Sequence, residues 1–407
     1  MSPPLSVDEA LERILDGVEP TAVEVAAVEA AHRRTLAAPL AALLTQPPFD
    51  ASAMDGYAVR AGDVARLPTT LAVIGTAAAG HPFAGAIASG QAVRIFTGAP
   101  LPVGADAIVI QENTVPEPTG SGPATVSVRE GRPDPGHVRP TGFDFRAGQV
   151  LLGAGRRLGP RELSLAAAMG HANLPVRRRP RVAILSTGDE LRLPGSRPGP
   201  GQIIASNHLG VAALAEAAGA QSRFIGIAHD TRQSLEEHFA LADGADVIVT
   251  IGGASVGDHD LVGPVLRARG MVLSFWKISM RPGKPLMFGR LGASCVLGLP
   301  GNPVSSLVCA RVFLVPLLRA LLGEPAHDAH PRAARLGVAL EPNGARQHYM
   351  RATTIPGPDG LSVVTPVRSQ DSSLLAPLAQ ADCLVIRTPH APLAVLGALV
   401  PILPLDF

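Results

Sequence analysis

The sequence predicts a multidomain α/β plus β protein. It would contain a doubly wound, mostly parallel α/β domain, an N-terminal helical domain with a β-rich insertion, and a small, barrel-like C-terminal β domain. From Arg181 to Leu322, strand-like apolar runs alternate with helical segments, as in parallel sheets with right-handed crossovers. Short β-type runs with Gly- and Pro-rich turns precede and follow this stretch. We place the domains at 1–46 with 141–178, 47–140, 179–325 and 326–407.

The N-terminal domain is predicted from two helical segments. Ser6 and Glu9 have the spacing of a capping box, and apolar residues follow at helical spacing, so the first helix is expected to pack on something outside its own segment. Residues Arg161 to Met169 predict a second helix. The stretch from Pro175 to Pro180 contains three arginines and is predicted to be a solvated linker.

Composition excludes several classes of protein. The 407 residues contain 35 basic and 34 acidic side chains, so charge gives no reason to expect nucleic acid or an anionic membrane as a partner. The longest apolar stretches stop well short of the roughly 20 residues that a bilayer needs, and the N-terminus lacks a signal pattern, so a cytoplasmic location is expected. The three cysteines, Cys295, Cys309 and Cys383, lie in apolar runs and are expected to be buried thiols.

Lysine is the unusual residue of this chain. Only Lys277 and Lys284 occur, so 33 of the 35 basic residues are arginine. Both lysines fall in the segment Lys277 to Pro285 with Arg281, directly after a predicted strand. Compact ammonium groups suit an oxyanion such as phosphate or molybdate, and the arginine adds a planar fork. The alternative is a solvated loop with two chance lysines.

Two further segments follow predicted strands of the α/β domain, where such sheets bind ligands. In Ser186 to Glu190, a Thr-Gly turn offers backbone amides to an anion, and the acids could hold a cation; the alternative is an Asx turn. In Gly252 to Asp260, a Gly-Gly loop with Ser255 suits an oxyanion. Because Asp258 and Asp260 would repel a bare phosphate, this segment favours a Mg-bound phosphate ester, the alternative being a tight turn with solvated acids.

Three other segments add candidate residues. Leu299 to Pro303 predicts a helix start, with Asn302 as N-cap and Pro303 as the first helical residue, whose free amides face the same crevice. In the inserted β-rich domain, Pro47 to Val59 joins small residues to Asp50, Asp55 and Tyr57, and Arg94 to Pro102 ends a strand in a second Thr-Gly turn. Neither of the last two segments identifies a function alone.

Together the motifs resemble one family. Six of them occur in the order found in the molybdopterin molybdenumtransferase (MoeA) family, whose relatives include the C-terminal domain of gephyrin: Ser52-Ala53-Met54-Asp55-Gly56-Tyr57-Ala58, Thr97-Gly98-Ala99-Pro100, Ser186-Thr187-Gly188-Asp189-Glu190-Leu191, Gly252-Gly253-Ala254-Ser255-Val256-Gly257, Pro282-Gly283-Lys284-Pro285 and Leu299-Pro300-Gly301-Asn302-Pro303-Val304-Ser305. The resemblance implies insertion of molybdate into adenylylated molybdopterin, with Mg-dependent release of AMP. It also implies a homodimer, with each cleft formed by the α/β domain of one subunit and the β-rich domain of the other, and an upstream molybdopterin adenylyltransferase.

The resemblance also implies the roles of individual residues. Catalytic roles fall on Asp55, Glu190, Asp230, Asp260, Lys277 and Lys284, and the Mg ligands would be Glu190, Asp258 and Asp260. Substrate-binding roles fall on Thr97, Gly98, Arg139, Asp144, Thr187, Gly188, Gly252, Gly253, Ser255, Arg281, Pro300, Gly301, Asn302 and Pro303.

Some positions depart from the family pattern, and rival functions follow from the same resemblance. Arg281 stands where some members have lysine, Pro140 and Phe143 replace charged residues beside Arg139 and Asp144, and no acid precedes Ser206. A gephyrin-like scaffold, the adenylyltransferase of the preceding step and a tungstate-inserting variant are the alternatives. The adenylyltransferase is as a rule the α/β domain alone, so the Asp55 motif argues against it.

Overall fold

The computed structural model describes residues 4–117, 124–253, 261–326 and 332–405. These residues form an N-terminal region with an inserted β domain, an α/β domain and a C-terminal β-barrel, which confirms the predicted fold class. Helix α1 (Val7–Leu15) begins with the predicted capping box, in which the Glu9 amide lies 3.2 Å from Ser6 Oγ. Its buried face, including Leu11 and Ile14, belongs to the core of the α/β domain.

The rest of the N-terminal region consists of two small antiparallel sheets and one helix. The elements are β1 (Val23–Ala27), a 3₁₀ turn (Val28–Ala30), β2 (Leu40–Ala41), β11 (Val150–Leu152), α2 (Pro160–Ala168) and β12 (Asn173–Arg177). Strand β1 pairs with β12, and β2 pairs with β11. Helix α2 confirms the predicted second helix.

The prediction of a solvated linker from Pro175 to Pro180 is wrong. Residues up to Arg177 belong to β12, and Val176 is fully buried. The arginines are accommodated because they find oxygen partners: Arg177 donates to the Thr21 carbonyl, and Arg178 donates two hydrogen bonds to the Asp246 carboxylate, at 2.8 and 2.9 Å. This segment joins the N-terminal region firmly to the α/β domain.

The inserted segment is the predicted β domain. The elements are β3 (Ala51–Ser52), β4 (Gly56–Val59), β5 (Thr69–Ala77), β6 (Gln91–Ile95), β7 (Ala107–Ile110), β8 (Thr114–Glu117), β9 (Thr125–Val128), β10 (Val138–Arg139) and the 3₁₀ turns Ala61–Val64, Gln111–Asn113 and Pro135–His137. The main sheet has the strand order β7-β4-β6-β5-β9-β8, and β3 pairs with β10.

The α/β domain contains a six-stranded sheet in the order β16-β13-β17-β21-β20-β18. The first four strands of this order are parallel, as predicted, and β20 runs antiparallel between β21 and β18. The elements are β13 (Arg181–Thr187), β14 (Leu191–Arg192), β15 (Ile203–Ile204), α3 (Asn207–Ala217), β16 (Gln221–Ala228), α4 (Arg232–Ala240), β17 (Val247–Ile251), α5 (Val262–Ala268), β18 (Val272–Trp276), β19 (Met280–Arg281), β20 (Met287–Leu291), β21 (Ser294–Leu299), α6 (Pro303–Cys309), a π-helical turn (Ala310–Leu314) and α7 (Val315–Leu321).

The helical run from Pro303 to Leu321 is the central element of the core. By length and composition it is apolar enough to cross a membrane, which the short apolar runs of the sequence did not suggest. Its apolar window is 67% buried, however, and its side chains pack with the sheet, with α1 and with Tyr349 of the barrel. These contacts identify it as a helix of the protein core. All three cysteines are buried free thiols, as expected.

The C-terminal region is a closed five-stranded barrel. Strands follow the order β23-β24-β22-β26-β25, and pairing of β25 with β23 closes the ring. Strand β19 of the α/β domain pairs with β23, so the two domains share backbone hydrogen bonding. The elements are β22 (Arg332–Leu336), β23 (Gln347–Pro356), β24 (Ser362–Pro366), α8 (Leu375–Ala379), β25 (Cys383–Arg387) and β26 (Leu399–Pro404).

The contact between Arg178 and Asp246 gives a test of this architecture. Asp246→Ala is expected to lower the free energy of unfolding by about 2 kcal/mol, because it removes a bidentate charged hydrogen bond that is largely shielded from water. Urea denaturation followed by circular dichroism measures the change. The matched control is Glu236→Ala in the exposed pair with Arg232, which should cost about 0.5 kcal/mol or less. Equal effects would contradict the structural role of Asp246.

Candidate active site

A cleft of about 680 Å³ lies at the carboxyl edge of the parallel strands. The segments that follow β13, β17 and β21 all reach it, because parallel strands deliver their carboxyl ends to one edge. Of the predicted site residues, the structure brings together Thr187, Gly188, Glu190, Asp230, Gly252, Gly253, Pro300, Gly301, Asn302 and Pro303.

Two turns that contain glycine, Thr187-Gly188 and Gly252-Gly253, line this cleft. Gly252 and Gly253 have φ values of +91° and +60°, a region that L side chains rarely adopt. A Cβ at Gly252 would lie 2.8 Å from the Thr187 carbonyl oxygen, so the two loops pack backbone to backbone. Thr187 Oγ1 is buried beside them and has no hydrogen-bond partner among the described residues. A buried hydroxyl without a partner, in a cleft with this backbone, suits an oxygen-rich ligand.

Helix ends form another wall. Asn302 and Pro303 take the predicted N-cap and first helical positions of α6, but the Asn302 side chain does not cap its own helix. It donates instead to Ser372 Oγ at 3.2 Å, and the Val304 amide donates to the Ser372 carbonyl at 3.0 Å. The start of α3 lies beside it, where Asn207 Nδ2 donates to the Gly301 carbonyl at 2.8 Å. Two positive helix ends therefore border the cleft.

The charged side chains that line the described part of the cleft are both acids, Glu190 and Asp230. Burial first, then the neighbouring carboxylates of Asp189 and Glu190, raise the pKa of Asp230. Asp189 itself accepts a hydrogen bond from His229 Nδ1 at 2.9 Å, which lowers its pKa. The cleft thus combines backbone suited to an anion with acids that repel one, and a divalent cation would reconcile the two.

The lysine loop, residues 277–286, lies beside this cleft, and its Pro285 lines the wall. Two backbone hydrogen bonds close it, from Lys277 N to the Leu286 carbonyl at 3.0 Å and from Ile278 N to the Lys284 carbonyl at 3.1 Å. Arg281 and Lys284 are exposed. Strand β18 runs in the same direction as β21, since both are antiparallel to β20, so this loop leaves the sheet at its carboxyl edge.

A second group of predicted residues lies in the inserted β domain and does not line this cleft. Thr97 donates to Asp55 Oδ1 through its amide at 2.8 Å and its hydroxyl at 2.9 Å, and these bonds lower the pKa of Asp55. The Gly98 amide donates to the Ser52 carbonyl, so two of the sequence motifs form one structural unit. Arg139 lies opposite Ala51 in the β3–β10 pair.

The remaining predicted site residues do not line the described part of the cleft. Asp144 is exposed, and its amide donates to the Gln46 carbonyl, which fixes its backbone to the N-terminal region. Ser255, Asp258 and Asp260 lie outside the described residues. Within the described ranges, no three acidic, histidine or cysteine side chains are grouped closely enough to hold a metal ion.

Sequence reasoning missed the contribution of the C-terminal barrel to the cleft. Ser373 lines it, in a loop that the fully buried Arg351 holds through the carbonyls of Ser369, Asp371 and Leu374. This loop is some seventy residues from Asn302 in the chain. Its Gln-Asp-Ser-Ser sequence is typical of any exposed turn, so no local pattern predicts that this loop lines the cleft.

The fold and the cleft define a class of multidomain proteins in which a mostly parallel α/β domain carries a cleft lined by glycine turns, helix starts and acidic side chains. Family profiles match along the chain: the MoeA N-terminal region (domain I and II) at residues 5–170, the probable molybdopterin binding domain at 183–320 and the MoeA C-terminal region (domain IV) at 333–405.

Individual relatives agree with these matches. The chain is 35% identical to a molybdopterin molybdenumtransferase of Haemophilus influenzae over 94% of each chain. It is 40% identical to one of Nostoc, over 74% of this chain and 70% of that one. A crystal structure of a molybdopterin biosynthesis MoeA protein from Pyrococcus horikoshii superposes with a TM-score of 0.83 at 29% identity and covers both chains completely. The chain belongs to the molybdopterin molybdenumtransferase (MoeA) family, and is an enzyme of the transferase class.

The raised pKa of Asp230 predicts a stability effect with a definite sign. Because its pKa is higher in the folded than in the unfolded protein, folding favours the protonated form, and ionisation as pH rises through the folded pKa destabilises the fold. Asp230→Asn is therefore expected to raise the free energy of unfolding at pH 7. The gain should vanish below the unfolded pKa of aspartate, where Asp230 is protonated in both states.

Urea denaturation of the wild type and Asp230→Asn between pH 3 and pH 8 measures this effect. Glu19→Gln is the control, because Glu19 is an exposed carboxylate outside the cleft. A gain in Asp230→Asn that is independent of pH would contradict the electrostatic explanation.

Proposed function

We propose that this protein inserts molybdate into adenylylated molybdopterin and releases AMP in a Mg²⁺-dependent step, giving molybdenum cofactor. The observation that carries the proposal is the separation of charge around one sheet edge. The cleft offers glycine backbone, the unpartnered Thr187 hydroxyl and two carboxylates, whereas the cations are grouped in the lysine loop beside it. A phosphoanhydride and an oxyanion need these two environments next to each other.

The acids of the cleft suit Mg²⁺. Carboxylate oxygens are hard donors for this ion. Burial is the largest cause of the raised pKa of Asp230, and the repulsion from Asp189 and Glu190 that adds to it is the kind a divalent cation relieves. Glu190 would hold the ion together with Asp258 and Asp260 of the glycine loop. When bound, Mg²⁺ neutralises charge on the phosphoanhydride and on the departing AMP.

The protein's own residues bind and orient the two substrates. Phosphate oxygens would accept hydrogen bonds from the backbone and hydroxyl donors of Thr187, Gly188, Gly252 and Gly253, assisted by the positive end of α3. Lys277, Arg281 and Lys284 would hold molybdate next to the dithiolene, with Ser255 contributing a hydroxyl. The segment from Pro300 to Pro303 would form the wall against which the pterin and nucleotide lie.

Asp55 would reach this chemistry from a second copy of the chain. In the described subunit, Asp55 and Thr97 form a unit in the inserted β domain that does not line the cleft. The N-terminal region also exposes large apolar side chains, Val25 at 74% and Leu43 at 60%, as expected for a surface that pairs with another copy. We infer a cytoplasmic homodimer that receives its substrate from a molybdopterin adenylyltransferase and requires neither nucleic acid nor a membrane.

Lysine substitution tests the oxyanion assignment. Lys284→Ala is expected to raise the KM for molybdate in AMP release by about 10- to 100-fold, because a charge-assisted contact is lost. Replacing both lysines by arginine should also raise it, since a guanidinium fork differs from a compact ammonium. AMP release is followed with purified protein, adenylylated molybdopterin and Mg²⁺. Arg269→Ala, an exposed arginine after α5, is the control.

The outcomes of this assay separate the parts of the proposal. Absence of molybdate-dependent AMP release by the wild type would refute the enzymatic function. An unchanged KM in Lys284→Ala would refute the oxyanion site alone. Equal responses to tungstate and molybdate would identify an enzyme that does not discriminate between the two.

Mixed dimers test the shared cleft. Asp55→Asn and Glu190→Gln are each expected to be inactive, but co-refolding them should restore about a quarter of wild-type activity, because half of the dimers are mixed and each mixed dimer has one intact cleft. Co-refolding Glu190→Gln with Lys284→Ala, assayed at a molybdate concentration well below the raised KM of Lys284→Ala, is the control, since both residues belong to one α/β domain and no cleft becomes intact. No recovery in the first mixture would contradict the contribution of Asp55 from the partner.

A further inference from the structure

The only tryptophan of the chain, Trp276, lies under the ammonium group of Lys277. Lys277 Nζ is 4.5 Å from the centre of the Trp276 ring, within the range of a cation–π interaction. Trp276 is the last residue of β18 and packs on the hydrophobic cluster between the sheet, α4 and α5. The ring is thus part of the packed domain, whereas Lys277 begins the lysine loop.

The contact depends on an unusual backbone conformation. Consecutive side chains of a strand normally point to opposite faces, so Lys277 would turn away from Trp276. Lys277 instead has φ = +89°, which is rare for a residue with a side chain and costs free energy. The hydrogen bond from Lys277 N to the Leu286 carbonyl and the closure of the loop hold this conformation. Its consequence is that Lys277 folds back over the neighbouring ring.

The ring keeps the lysine charge available. Within the described residues, no carboxylate forms a salt bridge with Lys277. An acidic partner would orient the ammonium but also neutralise it, whereas an aromatic face restricts its position and leaves the full charge for an anion. A long, flexible lysine that binds an anion gains affinity when it is ordered in advance.

We propose that Trp276 is a positioning residue for the oxyanion substrate: its ring holds the Lys277 ammonium in place, uncompensated, for molybdate. This inference rests on the function proposed above, in which the lysine loop binds molybdate. Trp276 acts only through Lys277, so it should affect the binding of molybdate and leave the rate of the bound complex unchanged.

Fluorinated tryptophan tests the interaction without changing the shape of the side chain. Because the chain has one tryptophan, growth on 5-fluoro-, 5,7-difluoro- or trifluorotryptophan alters position 276 alone. Each fluorine weakens the negative face of the ring. We expect the KM for molybdate in AMP release to rise stepwise, by about two- to fivefold over the series, with kcat unchanged. In the Lys277→Met background, the series should be flat.

The results distinguish the two levels of the proposal. A flat series in the wild type, or an equal slope in Lys277→Met, would reject the role of Trp276 while leaving the lysine loop as the oxyanion site. A fall in kcat with constant KM would also reject it, because positioning for binding predicts the reverse. An unchanged KM in Lys277→Met itself would reject the oxyanion role of this lysine, and the inference with it.

Discussion

The packing of one helical run, Pro303 to Leu321, fixes the position of the candidate cleft and of the lysine loop beside it. Its side chains join the sheet, α1 and the barrel in a single core. Because such a core is close-packed, the start of the run is held at the carboxyl edge of the strands. The same run fixes the lysine loop, since Gly283, at φ = +106°, lies against Cys309 of α6 with no room for a Cβ. The cleft and the cationic loop are therefore positioned by the same element.

Unpaired charge is the second organising feature, and it carries a cost in stability. The folded protein would be more stable if Asp230 were uncharged, because burial and two nearby carboxylates oppose its ionisation. Lys277 rests on an aromatic ring without a salt bridge from a described acid. Among the described residues, no acid forms a salt bridge with Lys277 or Lys284. The proposed function would use both charges, the acids to hold a metal ion on phosphate and the lysines to bind an oxyanion.

The sequence predicted the elements whose patterns are local. Alternating apolar runs and helix caps located the strands and helices of the α/β domain, and glycine turns after strands located most of the cleft. Strand β20 was missed because Gly289 and Arg290 interrupt its apolar run, and β23 because the buried polar side chains His348 and Arg351 interrupt its apolar pattern. Burial of Arg351 depends on distant carbonyl groups, which periodicity does not register. The same reason explains the error at β12 and the absence of Ser373 from the predicted site.

The contacts that arginine side chains make in this fold suggest a physical reason for the excess of arginine over lysine. Arginines in this fold repeatedly satisfy backbone carbonyls or carboxylates: Arg351 bonds three carbonyls, and Arg178 bonds Asp246 with both arms of its fork. A planar group with five donors suits that structural task, whereas a single ammonium leaves carbonyls unsatisfied. Lysine occurs only in the lysine loop, where the proposed function uses a compact charge to bind an anion. The two lysines are therefore distinct from arginines such as Arg178 and Arg351, whose charged groups bond other parts of the fold.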